Sequence, residues 1–322
     1  MRLLLVELAR FRSRRVITVL VLVAAVFAAV VAGVAAYDTR PLTQADRSEA
    51  AAQADLESER PELRTEVRAC ESDPTSYLGP DALAAECSKM LVPSAESYYP
   101  REQLDLGSTL DSHGLPLALA VAGLMVIIGG TFAGGDWASG SIATQLLFDP
   151  RRLRVWLAKA AAVTLSGAVV ATVVLGGFWL ALFALAEARG IAVSSATLDH
   201  VLWHVVRAVA LATGAALGAF ALTMVFRHTV ATLALLFVYS VGGEIAVNLL
   251  PLQGAGRWSV GNNAYGWLAT RHRYFDSTIE CSPRQRCDSM QLMTHLEAGL
   301  FLGALLLLAL LASVAWFRRS DV

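Results

Sequence analysis

Residues 132–155 read FAGGDWASGSIATQLLFDPRRLRV. They lie between two apolar runs, 115–133 and 155–186, each long enough to cross a bilayer, for which about 20 apolar residues suffice. Gly129, Gly130, Gly134 and Gly135 permit close packing and a sharp exit from the membrane. Asp136 can cap a helix N-terminus and suits its positive dipole end. From Ser141 the pattern is helical: Ile142, Leu146 and Asp149 line one face, with Ala143, Leu147 and Pro150 beside it. Pro150 ends the helix, and Arg151 and Arg152 suit its C-terminal dipole and lipid headgroups. The expectation is a short helix in the membrane plane, with apolar residues left over for a partner.

The rest of the chain fits this placement. It has 322 residues, 56% hydrophobic and only 16% charged, against about 25% charged in a soluble chain. Mean hydropathy is +0.54. The expected fold is an all-α polytopic membrane protein with six transmembrane helices, at 16–37, 115–133, 155–186, 201–226, 230–250 and 298–317. The third is long, and either begins as an interfacial helix or tilts. The first exceeds the 7–15 residues of a signal-peptide core, although its Val-Ala-Gly-Val-Ala-Ala ending keeps a cleavable leader as the alternative. The net charge of −1 gives no electrostatic case for nucleic acid. Arginine far outnumbers lysine, as in GC-rich bacterial genomes, which points to a bacterial cytoplasmic (inner) membrane.

Basic residues orient the spans. Arg2, Arg10, Arg12, Arg14 and Arg15 in segment 1–15, Arg151, Arg152, Arg154 and Lys159 around segment 134–154, Arg227, and Arg318 and Arg319 near the tail 318–322 fall on one side of a six-span chain. That side is the cytoplasm, and both termini lie there. The loops 38–114 and 251–297 then lie outside; the second carries five arginines, which weaken the rule without reversing it. Cys70, Cys87, Cys281 and Cys287 all fall in these two external loops, where disulfides persist. Of the three pairings, the sequence-local one is favoured: Cys70 with Cys87, Cys281 with Cys287. Four free thiols are the alternative.

Residues 43–71 are rich in Ala, Glu and Arg and favour helix; Pro61 suits the first turn of a second one, and Pro80 opens a third that runs from Asp81 to Leu91. The first loop is therefore expected to be a small, disulfide-clipped helical cap, either stabilising or cargo-recognising. In the second loop Trp258, Asn262, Asn263, Tyr265 and Trp267 mark either a re-entrant segment at 258–269 or an interfacial anchor.

Ionisable groups inside spans are costly and are usually paired or functional. Arg207 lies about two turns inside the outer end of span four, and Glu244 about as deep in span five, at ~1.5 Å per residue. The two are expected to meet, as a structural ion pair or as a polar spot on a cargo path. His200 and His204 have metal-binding spacing with Asp199 beside them, but no Glu completes a zincin motif and no cysteine is near, so solvated interfacial histidines are the expectation and no metal site is assigned. There is no Gly-x-Ser-x-Gly elbow. The two lysines, Lys89 and Lys159, are followed by Met90 and Ala160, so neither closes a phosphate-binding P-loop. The chain is not expected to be an enzyme.

The order Asp136-Trp137-Ala-Ser-Gly140-Ser141, Leu146-Leu147, Asp149-Pro150-Arg151-Arg152 and Lys159 resembles the segment before the third span of ABC-2 type permeases, with Asp for the usual Glu and Ser for Thr. Glu7, Arg10, Arg14 and Arg15 before span one, and the Trp316–Asp321 ending, resemble that family too. The resemblance covers the six spans and both ends; the first external loop is larger than in the short members. It implies a half-transporter in which two permease chains, identical or homologous, bind two cytoplasmic ATPase subunits. ATP and Mg would sit on those subunits, and this chain would hold no cofactor of its own. Asp136, Trp137, Gly140, Ser141, Ile142, Leu146, Leu147, Pro150, Arg151 and Arg152 would form the coupling element. The cargo would be a lipid, drug, peptide or polysaccharide. The competing reading is a non-transporting membrane scaffold or sensor whose cap binds a ligand.

Overall fold

The computed structural model describes residues 2–79, 82–249, 252, 254–276, 279 and 289–319. Among these, six helices are long and apolar enough to cross a membrane: Arg15–Asp38, Leu106–Ala138, Arg152–Ala188, Ser195–Phe226, Thr229–Val247 and His295–Arg319. Each coincides with one of the expected runs, and the chain is a multi-pass, predominantly helical membrane protein. Two units are compact in themselves: Val34–Leu104, and Met1–Gly33 with Asp105–Val322.

The larger unit begins with α1 (Arg2–Ser13), a helix the sequence reading left as a basic segment, followed by span one, α2 (Arg15–Asp38). Before the second span, the smaller unit holds α3 (Gln44–Ser58), α4 (Pro61–Ser72), α5 (Pro74–Leu78) and α6 (Ala84–Leu91). Thr43 caps α3 reciprocally with Asp46: its hydroxyl accepts from the Asp46 N–H at 3.2 Å, and its own N–H donates to the Asp46 carboxylate at 2.8 Å. These Thr43 donors, with Arg101 opposite, hold the Asp46 carboxyl below the ordinary carboxylate range. Pro61 occupies the first turn of α4, where its missing N–H costs nothing. The expected Cys70–Cys87 disulfide joins α4 to α6 with both cysteines buried. Pro80, Asp81, Cys281 and Cys287 lie outside the described residues, so the second pairing does as well.

Span two is longer than its apolar run. It comprises α7 (Leu106–Thr109), a π-helical turn (Leu110–Gly114) and α8 (Leu115–Ala138). Pro116 cannot donate to the carbonyl four residues back and its ring crowds that carbonyl, so the backbone widens by one residue and continues. The short α9 (Ser141–Phe148) leads into α10 (Arg152–Ala188), a single helix of 37 residues and about 55 Å. Its excess over a ~30 Å hydrocarbon core is uninterrupted helix. Span four is α11 (Ser195–Phe226).

Span five departs from the expected uniform helix: α12 (Thr229–Val238) passes through a π turn (Tyr239–Gly243) into α13 (Glu244–Leu249). After it come α14 (Val260–Leu268), a two-stranded antiparallel hairpin of β1 (His272–Phe275) and β2 (Met290–Met293), and α15 (His295–Arg319), which is span six. The short hairpin is an addition to an otherwise helical chain that agrees with the expected all-α polytopic class. Four-residue strands carry too few alternations to read as strand, and pairing between segments so far apart in sequence is a tertiary event.

The interior of the larger unit is built on α8 against α11. Ala208, Ala212, Ala216 and Ala219 of α11 are buried, as are Phe132 of α8 and Phe220 of α11. A Cβ on Gly129 would collide with the Ala216 carbonyl oxygen, so glycine is what lets the two backbones meet.

Gly129→Ala is therefore expected to lower stability by about 1–3 kcal/mol through overpacking. Gly123→Ala, on the same helix with open space around it, should be neutral or slightly stabilising because alanine favours helix. Thermal unfolding in detergent checks the pair. Replacing Cys70 and Cys87 by serine should cost about 3 kcal/mol for a loop of this length, seen as faster hydrogen exchange in α4 and α6 and unchanged exchange in α8 and α11.

Candidate functional site

Four elements converge at the end of the spans that carries α9. On α1, Glu7 and Phe11 share a face and are both buried. On α8, Phe132 and Asp136 stand one turn apart and are buried. Lys159, on the second turn of α10, is wholly buried, and α9 contributes Ser141, Ile142 and Gln145.

The Lys159 Nζ lies 3.0 Å from Glu7 Oε2 and donates also to Asp136 Oδ2, so one ammonium holds a carboxylate from each of two other helices. Arg14 pairs with the second oxygen of Asp136. Its Nη1 also donates to the Phe132 and Thr131 carbonyl oxygens at 2.7 and 3.1 Å, and a Cβ on Gly135 would occupy the space of its guanidinium. Gln145 of α9 donates to Glu7 Oε1 at 2.8 Å. Arg10 donates to Glu7 Oε1 and to Gln145 Oε1, each at 3.4 Å. Ser141 Oγ donates to Asp136 Oδ1 at 3.1 Å. The Arg14 guanidinium and the Lys159 ammonium also face the Phe132 ring, 5.1 and 5.8 Å from its centroid. Two carboxylates are thus matched by two buried or half-buried cations and the rim cation Arg10, which is what keeps charge tolerable away from water.

This corrects one expectation. Asp136 caps no helix N-terminus; it lies within the last turns of α8, and the α9 N-cap is Gly140, whose left-handed φ of 66° turns the chain sharply between α8 and α9. The carboxylate is claimed by two cations, a stronger demand than a cap. The other expected coupling residues are in or beside α9. Ile142 is buried, Leu146 is half-buried, and Leu147 and Phe148 are 84% and 88% exposed. The row carrying Leu147, not the Ile142 row, is the outward one. Trp137 meets Phe317 edge-on at 6.4 Å and lies under the Arg227 guanidinium at 4.8 Å. Pro150 and Arg151 are exposed ahead of α10, and Arg152 Nη1 donates to the Phe317 carbonyl oxygen at 3.4 Å.

At the other end of the spans the expected Arg207–Glu244 ion pair is not formed. Arg207 donates to His295 Nε2 at 2.9 Å, while Glu244 accepts from the Ser259 hydroxyl and from the Gly261 N–H at 2.8 Å. The reason is α14. Glu244 accepts the otherwise orphaned Gly261 N–H at the start of α14, where Ser259 caps Asn262, and Trp267 near its end donates to the Arg207 carbonyl oxygen at 2.9 Å. His204 is buried, with Nδ1 3.4 Å from the Leu268 carbonyl oxygen, whereas His200 is exposed.

Sequence reasoning singled out Asp136 and Lys159 but did not bring them together, and it missed Gln145. The usable signal was a lysine placed inside an apolar run. A buried cation there demands carboxylates, and Glu7 and Asp136 are the acids nearest the same ends of neighbouring helices. No family model, no curated protein and no solved structure matches this chain.

Lys159→Met leaves Glu7 and Asp136 facing each other and should cost about 3–5 kcal/mol. Adding Glu7→Gln removes the surplus negative charge, so the double variant should be more stable than Lys159→Met alone. Denaturation midpoints of the four members of this cycle, measured in one detergent, give the coupling energy directly.

Proposed function

We propose that the chain is the transmembrane permease subunit of an ATP-driven exporter of the ABC-2 type. The observation that carries this reading is α9: its inner side is fastened by Gln145, Ser141 and Ile142 to a buried charge cluster, and its outer side presents Leu147 and Phe148 with nothing over them. A helix held this firmly while its largest apolar side chains are exposed is suited to transmit force from a bound partner. Glu7, Asp136 and Lys159 link it to α1, α8 and α10, so displacement of α9 would be carried into spans one, two and three.

The partner is a cytoplasmic ATPase that binds ATP and Mg, and a second permease chain, a copy or a homologue, completes the assembly. In this reading α1, α9 and both termini face the bacterial cytoplasm, and the disulfide-clipped helices of the smaller unit form an external cap. The cargo is a lipid, drug, peptide or polysaccharide moved outward.

Leu147→Asp with Phe148→Asp should leave the unfolding midpoint within about 0.5 kcal/mol of wild type, because both side chains are exposed. It should abolish co-purification of the ATPase subunit expressed with the chain. If ATPase assembly and turnover are unchanged in the double variant, α9 is a lipid-facing helix, and a scaffold or sensor becomes the better reading.

A further inference from the structure

Helix α4 sorts its charges by side. Arg64 and Arg68 stand four apart on one face, and Glu62 and Glu66 stand four apart on the opposite one. Opposite charges at this spacing support a helix and like charges weaken it, so α4 twice adopts the unfavourable arrangement. Arg60, one turn before Arg64, is paired with Glu57 at 3.0 Å. Among the described residues neither Arg64 nor Arg68 is paired with an acid. Scarcity of acid is not the reason, because residues 34–104 carry 14 acidic and 7 basic side chains.

The arginine side of α4 borders a cavity of about 450 Å³, inside the range of about 300–1,000 Å³ that small-molecule sites occupy. Leu63 and Val67 of α4 and Val92, just after α6, are half-buried along it, and Ser58 at the end of α3 adds a hydroxyl. Arg64 and Arg68 are its charged lining residues, and no acid lines it. Glu62 and Glu66 border a separate hollow, with Tyr77. Arg68 Nε donates to the Arg64 carbonyl oxygen at 3.1 Å, which holds that guanidinium against the helix and leaves its terminal nitrogens free to donate outward. The Cys70–Cys87 disulfide ties α4 to α6, so the two sides of the cavity are joined covalently close by.

Three apolar side chains beside two uncompensated guanidiniums complement a molecule with an apolar body and an anionic head. A guanidinium fork presents paired donors to a phosphate or a carboxylate alike, and the volume admits one short chain. We propose that this cavity binds a single-chain anionic amphiphile, its head held by Arg64 and Arg68 and its chain lying over Leu63, Val67 and Val92. The assignment goes beyond the permease reading and rests on the smaller unit alone, whichever side of the membrane that unit faces.

The test uses the full chain in phosphatidylcholine nanodiscs, with octyl phosphate as the probe and hydrogen exchange read by mass spectrometry. Low-millimolar octyl phosphate should slow exchange in α4 and in residues 91–94 and leave α8 and α11 unchanged. Inorganic phosphate, a head without a chain, and octyl glucoside, a chain without charge, should each protect far less at the same concentration. Equal protection by inorganic phosphate would mean a simple anion site, equal protection by octyl glucoside would mean a merely apolar hollow, and either result overturns the proposal. Arg64→Gln with Arg68→Gln should raise the half-protecting concentration of octyl phosphate about tenfold, the worth of one charge-assisted hydrogen bond. Glu62→Gln with Glu66→Gln, on the far side of the same helix, should not raise it. Undiminished protection in the arginine variant, or equal loss in the glutamate variant, overturns the site. The comparison of the three probes is made on the unaltered chain, so it holds even where a variant folds poorly. None of these readouts involves an ATPase, so their failure is separate from failure of the permease reading.

Discussion

A lysine ammonium with no access to water has to be surrounded by negative charge, and Lys159 obtains it from two helices at once. Removing an ion from water costs several kcal/mol even after the protein relaxes, so the position of every group around Lys159 is constrained by the need to offset that cost. Glu7 brings α1 to α10, and Asp136 brings the end of α8 to the same point. Asp136 in turn needs Arg14 for its second oxygen, and Glu7 needs Gln145 for one of its own. The chain of requirements ends on α9. A helix of eight residues is too short to be stable by itself, and its position comes from the cluster beneath it.

The opposite end of the spans uses charge differently. There the polar side chains of spans four, five and six serve the backbone of α14: Glu244 at its start, His204 and His295 at carbonyls near its end, with Trp267 returning a bond to α11. Irregular backbone at membrane depth survives only where protein or water meets its hydrogen-bonding needs. The π turn just before Glu244 belongs to the same construction, because it ends where the Glu244 side chain reaches α14. Among the described residues, one end therefore spends its carboxylates on cations and the other spends them on peptide groups and a hydroxyl.

Much of the architecture was legible without coordinates. The six apolar runs, the short helix from Ser141, the helical pieces around Pro61 and the Cys70–Cys87 pairing all follow from length, periodicity and punctuation. The errors share a cause. Asp136 read as a cap and Arg207–Glu244 read as a pair because local spacing supplies neighbours along one helix or across one turn, and it cannot weigh a partner supplied by a third element. Gln145 was invisible for the same reason, since a glutamine at that spacing on a surface helix carries no signal until Glu7 is seen beneath it.

By itself, then, the sequence determined which runs form helices long and apolar enough to cross a membrane, because hydrocarbon thickness translates directly into a count of apolar residues and backbone hydrogen bonds inside it must close within each helix. Which face of α9 points outward, which acids answer Lys159, and where Arg207 and Glu244 find their partners were decided only in three dimensions. Electrostatic pairing depends on distances of a few ångströms between side chains more than a hundred residues apart, as Glu7 and Lys159 are, and no periodicity along the chain encodes those distances.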